Sequence, residues 1–273
     1  MKTFNADVHV HTKYSNRQSD WKGRNCNFKR SNTVMCLLIN VASAKNRLKE
    51  AKTQLENQDI DWERLDAVTP ESDDFTVCES ASSWYRKLTN EEVACYLSHK
   101  KAWRKAIDAE VDYLIVLEDD VLIDGPLKQI SDEIIEADLS WDMVKLFETR
   151  QRRRELRSLA NGVKIVDTPT MPIATTGYIV KVSSLPRLLE STKEFSRPID
   201  VELKSYWELN LRIYSIYPPP LKISDDNDST IGVRQGDLSA AQRLGKIKYN
   251  LLSSLRARLG YILRGYSKPT AFK

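Results

Sequence analysis

Residues 113–117 read YLIVL, and the next three are Glu118, Asp119 and Asp120. Five apolar residues in a row leave no polar face, so the segment is expected to be a strand covered on both sides. Such a strand needs helices above and below a sheet, the α/β layered class. Three adjacent carboxylates then fall where the strand leaves the core. They repel one another, and a nearby positive charge is required to keep them ionised. Hard carboxylate oxygens suit Mg²⁺ or Mn²⁺. In open α/β sheets ligands bind beyond the C-terminal ends of strands, which is where the triplet sits. The competing reading of an isolated Glu-Asp-Asp is an acidic turn that caps the next element.

The rest of the chain fits an alternation of strands and helices. VMCLLINV (34–41) is a second continuous apolar run and reads as a buried strand. Ser43 then opens a helix-forming stretch as its expected N-cap. Residues 61–68 alternate and stop at Pro70, a further strand. LTNEEVACYLSHKKAWRKAIDA (88–109) carries an apolar stripe, with Thr89 and Glu92 spaced as a capping box. Strands are expected at 142–148, 174–181 and 212–218. Helices are expected at 127–137, at 185–189 and over 201–211. The order predicts an α/β fold with a largely parallel sheet and flanking helices.

Charge narrows the function classes. The tail from 238 to 273 holds eight basic residues and no acidic one. Removing those eight from the 42 in the chain leaves 34 basic residues against 38 acidic. An acidic body argues against nucleic acid as a partner. Four widely spaced cysteines without a CxxC pair read as reduced thiols of a cytoplasmic protein. No run of eighteen apolar residues occurs, so no spanning segment is expected. In the tail, Leu244, Ile247, Leu251, Leu255, Leu259, Ile262 or Leu263, and Tyr266 form one face of a basic amphipathic helix. Such a helix points to an anionic membrane surface as a partner, and to a peripheral place on the inner face of the cytoplasmic membrane. Packing on the body is the competing role, and Gly245, Gly260 and Gly265 weaken the helix in either case.

LTNEEVACYLSHKKAW followed by YLIVLEDDV resembles glycosyltransferase family 25, the bacterial lipopolysaccharide and lipo-oligosaccharide sugar transferases. The matching positions are Leu88, Thr89, Glu92, Cys95, Ser98, His99 and the run from Glu118 to Val121. LLINV with Arg47, LDAV, TGYIV, RPIDVEL and DSTIG resemble further landmarks in the same order, over about residues 34–234. The resemblance implies a GT-A-like domain over 34–237. It also implies inverting transfer of a sugar, galactose favoured, from a nucleotide-sugar such as UDP-galactose to a glycan hydroxyl of a lipid-linked or surface polysaccharide. By the same resemblance, Asp120 with Glu118 would hold Mn²⁺ or Mg²⁺. Asn40, Arg47, Glu92, Ser98, His99, Glu118 and Asp119 would line the donor, and Asp200 would be the catalytic base. Each has a bland alternative. Asn40 could be a strand-end turn residue, Arg47 an exposed helix residue, Glu92 a cap, His99 a core histidine and Asp200 an N-cap.

The first twenty residues resemble the opening of a PHP-type metallophosphoesterase, through His9 and His11 one residue apart. The rest of the chain has only one more histidine, His99. Residues 1–33 are therefore expected to be a vestigial extension. A metallophosphoesterase and a non-catalytic, membrane-associated glycan-binding module are the two competing functions. Five arginines in RQRRRELR (150–157) read as a solvated segment, with a phosphate contact as the sharper alternative.

Overall fold

A computed structural model describes residues 31–76, 84–147, 153–168, 170–171, 174–223 and 238–263. The pair His9 and His11, most of the 1–33 extension, Arg150 to Arg152 and the DSTIG stretch lie outside the described residues.

Both apolar runs form the strands their patterns require. In β1 (Val34–Asn40), Cys36 and Leu38 enter one core while Leu37 and Ile39 enter the other. Helix α1 (Lys45–Glu56) covers the first face through Ala51 and Leu55. Strand β2 (Glu63–Asp66) pairs parallel to β1. Helix α2 (Asn90–Asp108) covers the second face with Val93, Tyr96, Ala102 and Trp103. Its N-terminus carries the expected capping box between Thr89 and Glu92. Strand β3 (Tyr113–Glu118) splits in the same way, Leu114 and Val116 against Ile115 and Leu117. An unbroken apolar run is thus two half-faces interleaved with the period of two that strands impose.

The remaining elements complete the two layers. They are β4 (Val121–Ile123), α3 (Leu127–Glu136), β5 (Met143–Lys145), β6 (Arg154–Ser158), β7 (Lys164–Asp167) and β8 (Gly177–Lys181), followed by α4 (Leu185–Ser191), α5 (Ile199–Lys204), α6 (Tyr206–Leu209), β9 (Ile213–Tyr217), β10 (Leu221–Ile223) and α7 (Ala240–Leu263). The main sheet has the order β2-β1-β3-β8-β5-β9-β7-β6, and β4 and β10 form a separate ribbon.

The α/β class stands, and the sheet is mixed. Strands β2-β1-β3 and the pair β5-β9 are parallel. The other four pairings are antiparallel. Strand β8 runs against both β3 and β5, and β6 turns back as a hairpin with β7. Gly177 opens β8 because a Cβ there would lie 2.2 Å from a methyl of Leu221 and 3.0 Å from one of Leu117.

Two local expectations change. Helix α1 begins at Lys45 behind Ala44, without a side-chain cap, so Ser43 is not the N-cap. Ala44 N–H instead closes a tight turn onto the Val41 carbonyl at 2.8 Å, and the Asn40 amide donates to the Ala44 carbonyl. The single helix expected over 201–211 is two short helices joined at Ser205. Arg197 folds that corner: its guanidinium engages Glu202, Ser205 and Glu208.

Candidate active site

The chain leaves β1 through α1 to β2 on one side, then returns through α2 to β3 on the other. The ends of β1 and β3 therefore flank a topological switch point, where open sheets bind ligands. In register, Ile39 lies opposite Glu118, so Asn40 and Asp119 come next. The Asn40 amide donates to Asp119 Oδ2 at 2.6 Å, and Arg64 Nε donates to Asn40 Oδ1 at 2.9 Å. Arg47, on the first turn of α1, reaches Asp119 Oδ1 at 3.4 Å. Asn40 and Arg47 thus hold Asp119 from the β1 side.

Glu118 is held from the other layer. Its Oε1 accepts from His99 Nε2 at 3.2 Å and from the Thr175 hydroxyl. His99 Nδ1 lies 2.9 Å from the Tyr178 hydroxyl, which also accepts from Trp103 Nε1 at 2.8 Å. Donation by Tyr178 to Nδ1 assigns the imidazole its Nε2–H tautomer and aims that proton at Glu118. A chain of four buried or half-buried side chains, Trp103, Tyr178, His99 and Glu118, thereby fixes the first carboxylate. Burial pushes Glu118 up, but the His99 and Thr175 hydrogen bonds and the charge of Lys145 outweigh it, and its pKa is lowered.

Asp120 is different. Burial, with repulsion from Glu118 and Asp119, raises its pKa to about 6. Its Oδ1 is buried without a hydrogen-bond partner. A buried carboxylate oxygen left unpaired is costly, and a cation satisfies it. Of the three acidic residues, Asp120 is the one with a fully buried oxygen left unpaired among the described residues. Mg²⁺ or Mn²⁺ fits this donor set. Cys95, His99 and Glu118 also bring one possible ligand atom each within 4.8 Å of one another. Both ring nitrogens of His99 are engaged, however, Nε2 with Glu118 itself, so that trio offers no free imidazole atom to a metal.

Two cavities meet at these residues. The first, about 330 Å³, runs between the β1 and β2 ends and α2, with Val41, Arg47, Thr69 and Ser98 in its wall. The second, about 480 Å³, is bounded by Thr175, Asp200, Trp84, Tyr85, and Lys246 and Tyr249 of α7. Arg47, Cys95, Glu118 and Asp120 line both. Asp200 lies in the first turn of α5 behind Pro198, so it is not the N-cap. Its Oδ1 accepts from Val201 N–H at 2.7 Å, and burial raises its pKa to about 6.

Two expected donor residues have architectural partners. Both oxygens of Glu92 pair with Arg86 at 2.6 Å, and Oε2 also accepts from Thr89 N–H. The Ser98 hydroxyl donates to the Ala94 carbonyl and accepts from Val68 N–H, clipping α2 to the loop after β2. Sequence reasoning missed Lys145, Thr175, Tyr178 and Arg64. A lysine in the middle of an apolar strand, as in MVKLF, is the signal that could have found Lys145: it is 1% exposed, and its charge acts on both Glu118 and Asp200.

A family model described as "Glycosyltransferase family 25 (LPS biosynthesis protein)" matches residues 34–203. The chain belongs to glycosyltransferase family 25. Among curated relatives, procollagen galactosyltransferase 2 of Homo sapiens is 27% identical over 175 residues, which is 54% of this chain and 28% of that protein. A putative glycosyltransferase of Haemophilus influenzae is 25% identical over 177 residues, covering 62% of this chain and 60% of its own length. The lipooligosaccharide biosynthesis protein lic2B of the same species is 31% identical over 88 residues, 32% of this chain and 33% of that one. The chain thus spans less than two thirds of each of these relatives. The family segment begins at residue 34, beyond the His9 and His11 pair, and it contains every residue named above for the carboxylate cluster.

Proposed function

We propose that this family 25 member is a metal-dependent inverting transferase with a GT-A-like layout. It moves a sugar, galactose favoured, from a nucleotide-sugar such as UDP-galactose to a hydroxyl of a lipid-linked or surface glycan. The observation that carries the reading is the unpaired, buried Oδ1 of Asp120 at the junction of two cavities. Procollagen galactosyltransferase 2 and lic2B, by their names, work on galactose transfer and on lipooligosaccharide, which is the basis for favouring that donor and acceptor.

In this reading the nucleotide occupies the first cavity, and Asn40, Arg47 and Asp119 orient its ribose and phosphates. Asp120, with Glu118 beside it, would hold Mn²⁺ or Mg²⁺, which supplies positive charge to the departing diphosphate. The acceptor hydroxyl enters from the second cavity. Its oxygen forms the new bond to the anomeric carbon as the bond from that carbon to the phosphate oxygen breaks. The electron pair leaves with the nucleoside diphosphate, and the hydroxyl proton passes to Asp200. With a pKa of about 6, Asp200 is mostly ionised at pH 7 and basic enough to accept a proton in the transition state. Arg47 adds charge on the leaving-group side.

The test is transfer from UDP-galactose to a lipooligosaccharide core acceptor with Mn²⁺ present, in the parent, Asp120→Asn and Asp200→Asn. Turnover should fall by about 10²–10⁴-fold in each variant while melting temperature stays close to the parent. Parent-level turnover in folded Asp120→Asn would refute the assignment.

A further inference from the structure

Helix α7 packs one side on the body and leaves the other uncovered by any described residue. Gly245 and Gly260 sit on the packed side. A Cβ at Gly245 would lie 3.0 Å from Tyr85, and one at Gly260 would lie 3.4 Å from Trp207, so these glycines let two aromatic side chains approach the helix. Ser253, Ala257 and Tyr261 are buried there too, and Tyr206 donates to the Ala257 carbonyl at 3.2 Å. The opposite side carries Leu244, Ile247, Leu251, Leu255, Leu259 and Ile262, with Leu252 beside them, each 43–68% exposed. They make up most of the large apolar side chains exposed among the described residues.

Spacing and charge identify what covers this stripe. The six positions advance by 3, 4, 4, 4 and 3 residues. Their mean step equals the repeat of a straight α-helix, so the stripe does not wind around the axis. A left-handed coiled coil with a second helix needs a shorter step, so this face matches a flat surface better. Arg243, Lys248 and Arg258 are exposed on the same helix, which has no acidic residue, while Arg256 is ion-paired to Glu208 of the body at 3.5 Å. At about 100° per residue, Lys248 and Arg258 fall within the stripe, Arg243 lies just outside it, and Arg256 turns toward the body. Two copies of α7 laid face to face would bring these cations together. By sequence the 1–33 segment is basic too, with seven basic and two acidic residues, and so offers no complementary charge. The charges call for an anionic partner, and the apolar row calls for one that takes up hydrocarbon. No described helix is long and apolar enough to cross a membrane.

We propose that α7 lies in the plane of an anionic lipid bilayer, with its leucine and isoleucine row in the acyl boundary and its arginines and lysines among the headgroups. The surface stands apart from the transferase reading, since none of its residues belongs to the carboxylate cluster. It has a consequence for that reading. Lys246 and Tyr249, on the side of α7 turned away from the stripe, line the second cavity. The bilayer would then lie about one helix diameter from that cavity, within reach of a glycan that stays attached to its lipid.

The experiment is co-sedimentation of the full chain with vesicles of phosphatidylcholine alone, or with about one third phosphatidylglycerol. The parent should pellet with the anionic vesicles and lose most binding in high salt or on neutral vesicles. Leu251→Ser/Leu255→Ser/Leu259→Ser should weaken binding by about tenfold or more, with folding retained because these side chains are already exposed. Lys248→Ala/Arg258→Ala should weaken binding to anionic vesicles and leave the residual binding to neutral ones unchanged. Equal binding by the parent and the triple serine variant overturns the proposal. So does absence of binding, or a lipid-independent dimer that the triple serine variant abolishes.

Discussion

Replacing Tyr178 by Phe tests whether the buried chain of donors beneath Glu118 holds the site in place. The hydroxyl of Tyr178 is fully buried, accepts from Trp103 Nε1 and contacts His99 Nδ1. Phe fills the same space, so no cavity term enters. What remains is two buried polar atoms without a partner, at about 1–3 kcal/mol each. Removing the buried hydroxyl itself returns part of that cost, so the net loss should be about 2–4 kcal/mol. For a chain of this size each kcal/mol moves the melting temperature by about 2–4 °C, so a drop on the order of 10 °C is expected. Urea denaturation monitored by tryptophan fluorescence reads the same quantity directly. The double variant Tyr178→Phe/Trp103→Phe should cost less than the sum of the singles, because its donor is gone as well. Sugar transfer should also fall, since His99 loses the contact that aims Nε2–H at Glu118. A melting temperature within about a degree of the parent, with full activity, would show that the chain of hydrogen bonds is not what positions Glu118.

Three shorter predictions follow from the same geometry. Glu92→Ala strands the Arg86 guanidinium, which is 8% exposed, and should destabilise by about 3–5 kcal/mol, measured by urea titration. Gly177→Ala drives a methyl against Leu221 and Leu117 and should cost about 1–3 kcal/mol. Burial pushes Asp142 up, but the Ser184 hydroxyl, the Arg212 N–H and Arg187 outweigh it and lower its pKa. Its stabilising contribution is therefore present above the unfolded value of 3.8 and lost as pH falls through the lower folded value. In Asp142→Asn the melting temperature should be lower at neutral pH and should converge on the parent as pH falls through the lowered folded value of Asp142.

What could be read from residues alone follows the strength of the local signal. Strands β1 and β3 and helix α2 were legible because they are buried on both faces or carry a capping box. Strands β6 and β7 were not expected. Residues 154–158, RELRS, lie at the sheet edge with mostly half-buried or exposed side chains, so they carry no apolar pattern to read. The break at Ser205 depends on Arg197 gathering three partners across a corner, which no helical periodicity encodes. In the site, the Glu-Asp-Asp triplet was legible because charge ends an apolar run. That Asn40 and Arg47 restrain Asp119, leaving Asp120 unpaired, is a matter of strand register and helix position. Lys145, Thr175 and Tyr178 reach the site only because β8 threads between β3 and β5.

The stretch matched by the family ends at residue 203, yet the second cavity continues past it. Ile223, Lys246, Tyr249 and Asn250 close that cavity from the later part of the chain. Under the proposed function, the far wall of the acceptor cavity is thus supplied by residues beyond the stretch that carries the carboxylate cluster and Asp200. If that wall chooses the acceptor, exchanging the last quarter of the polypeptide would re-tailor the recipient while leaving Asp120 and Asp200 in place. Chimeras joined just after α5 would test this by asking whether recipient preference travels with the later segment.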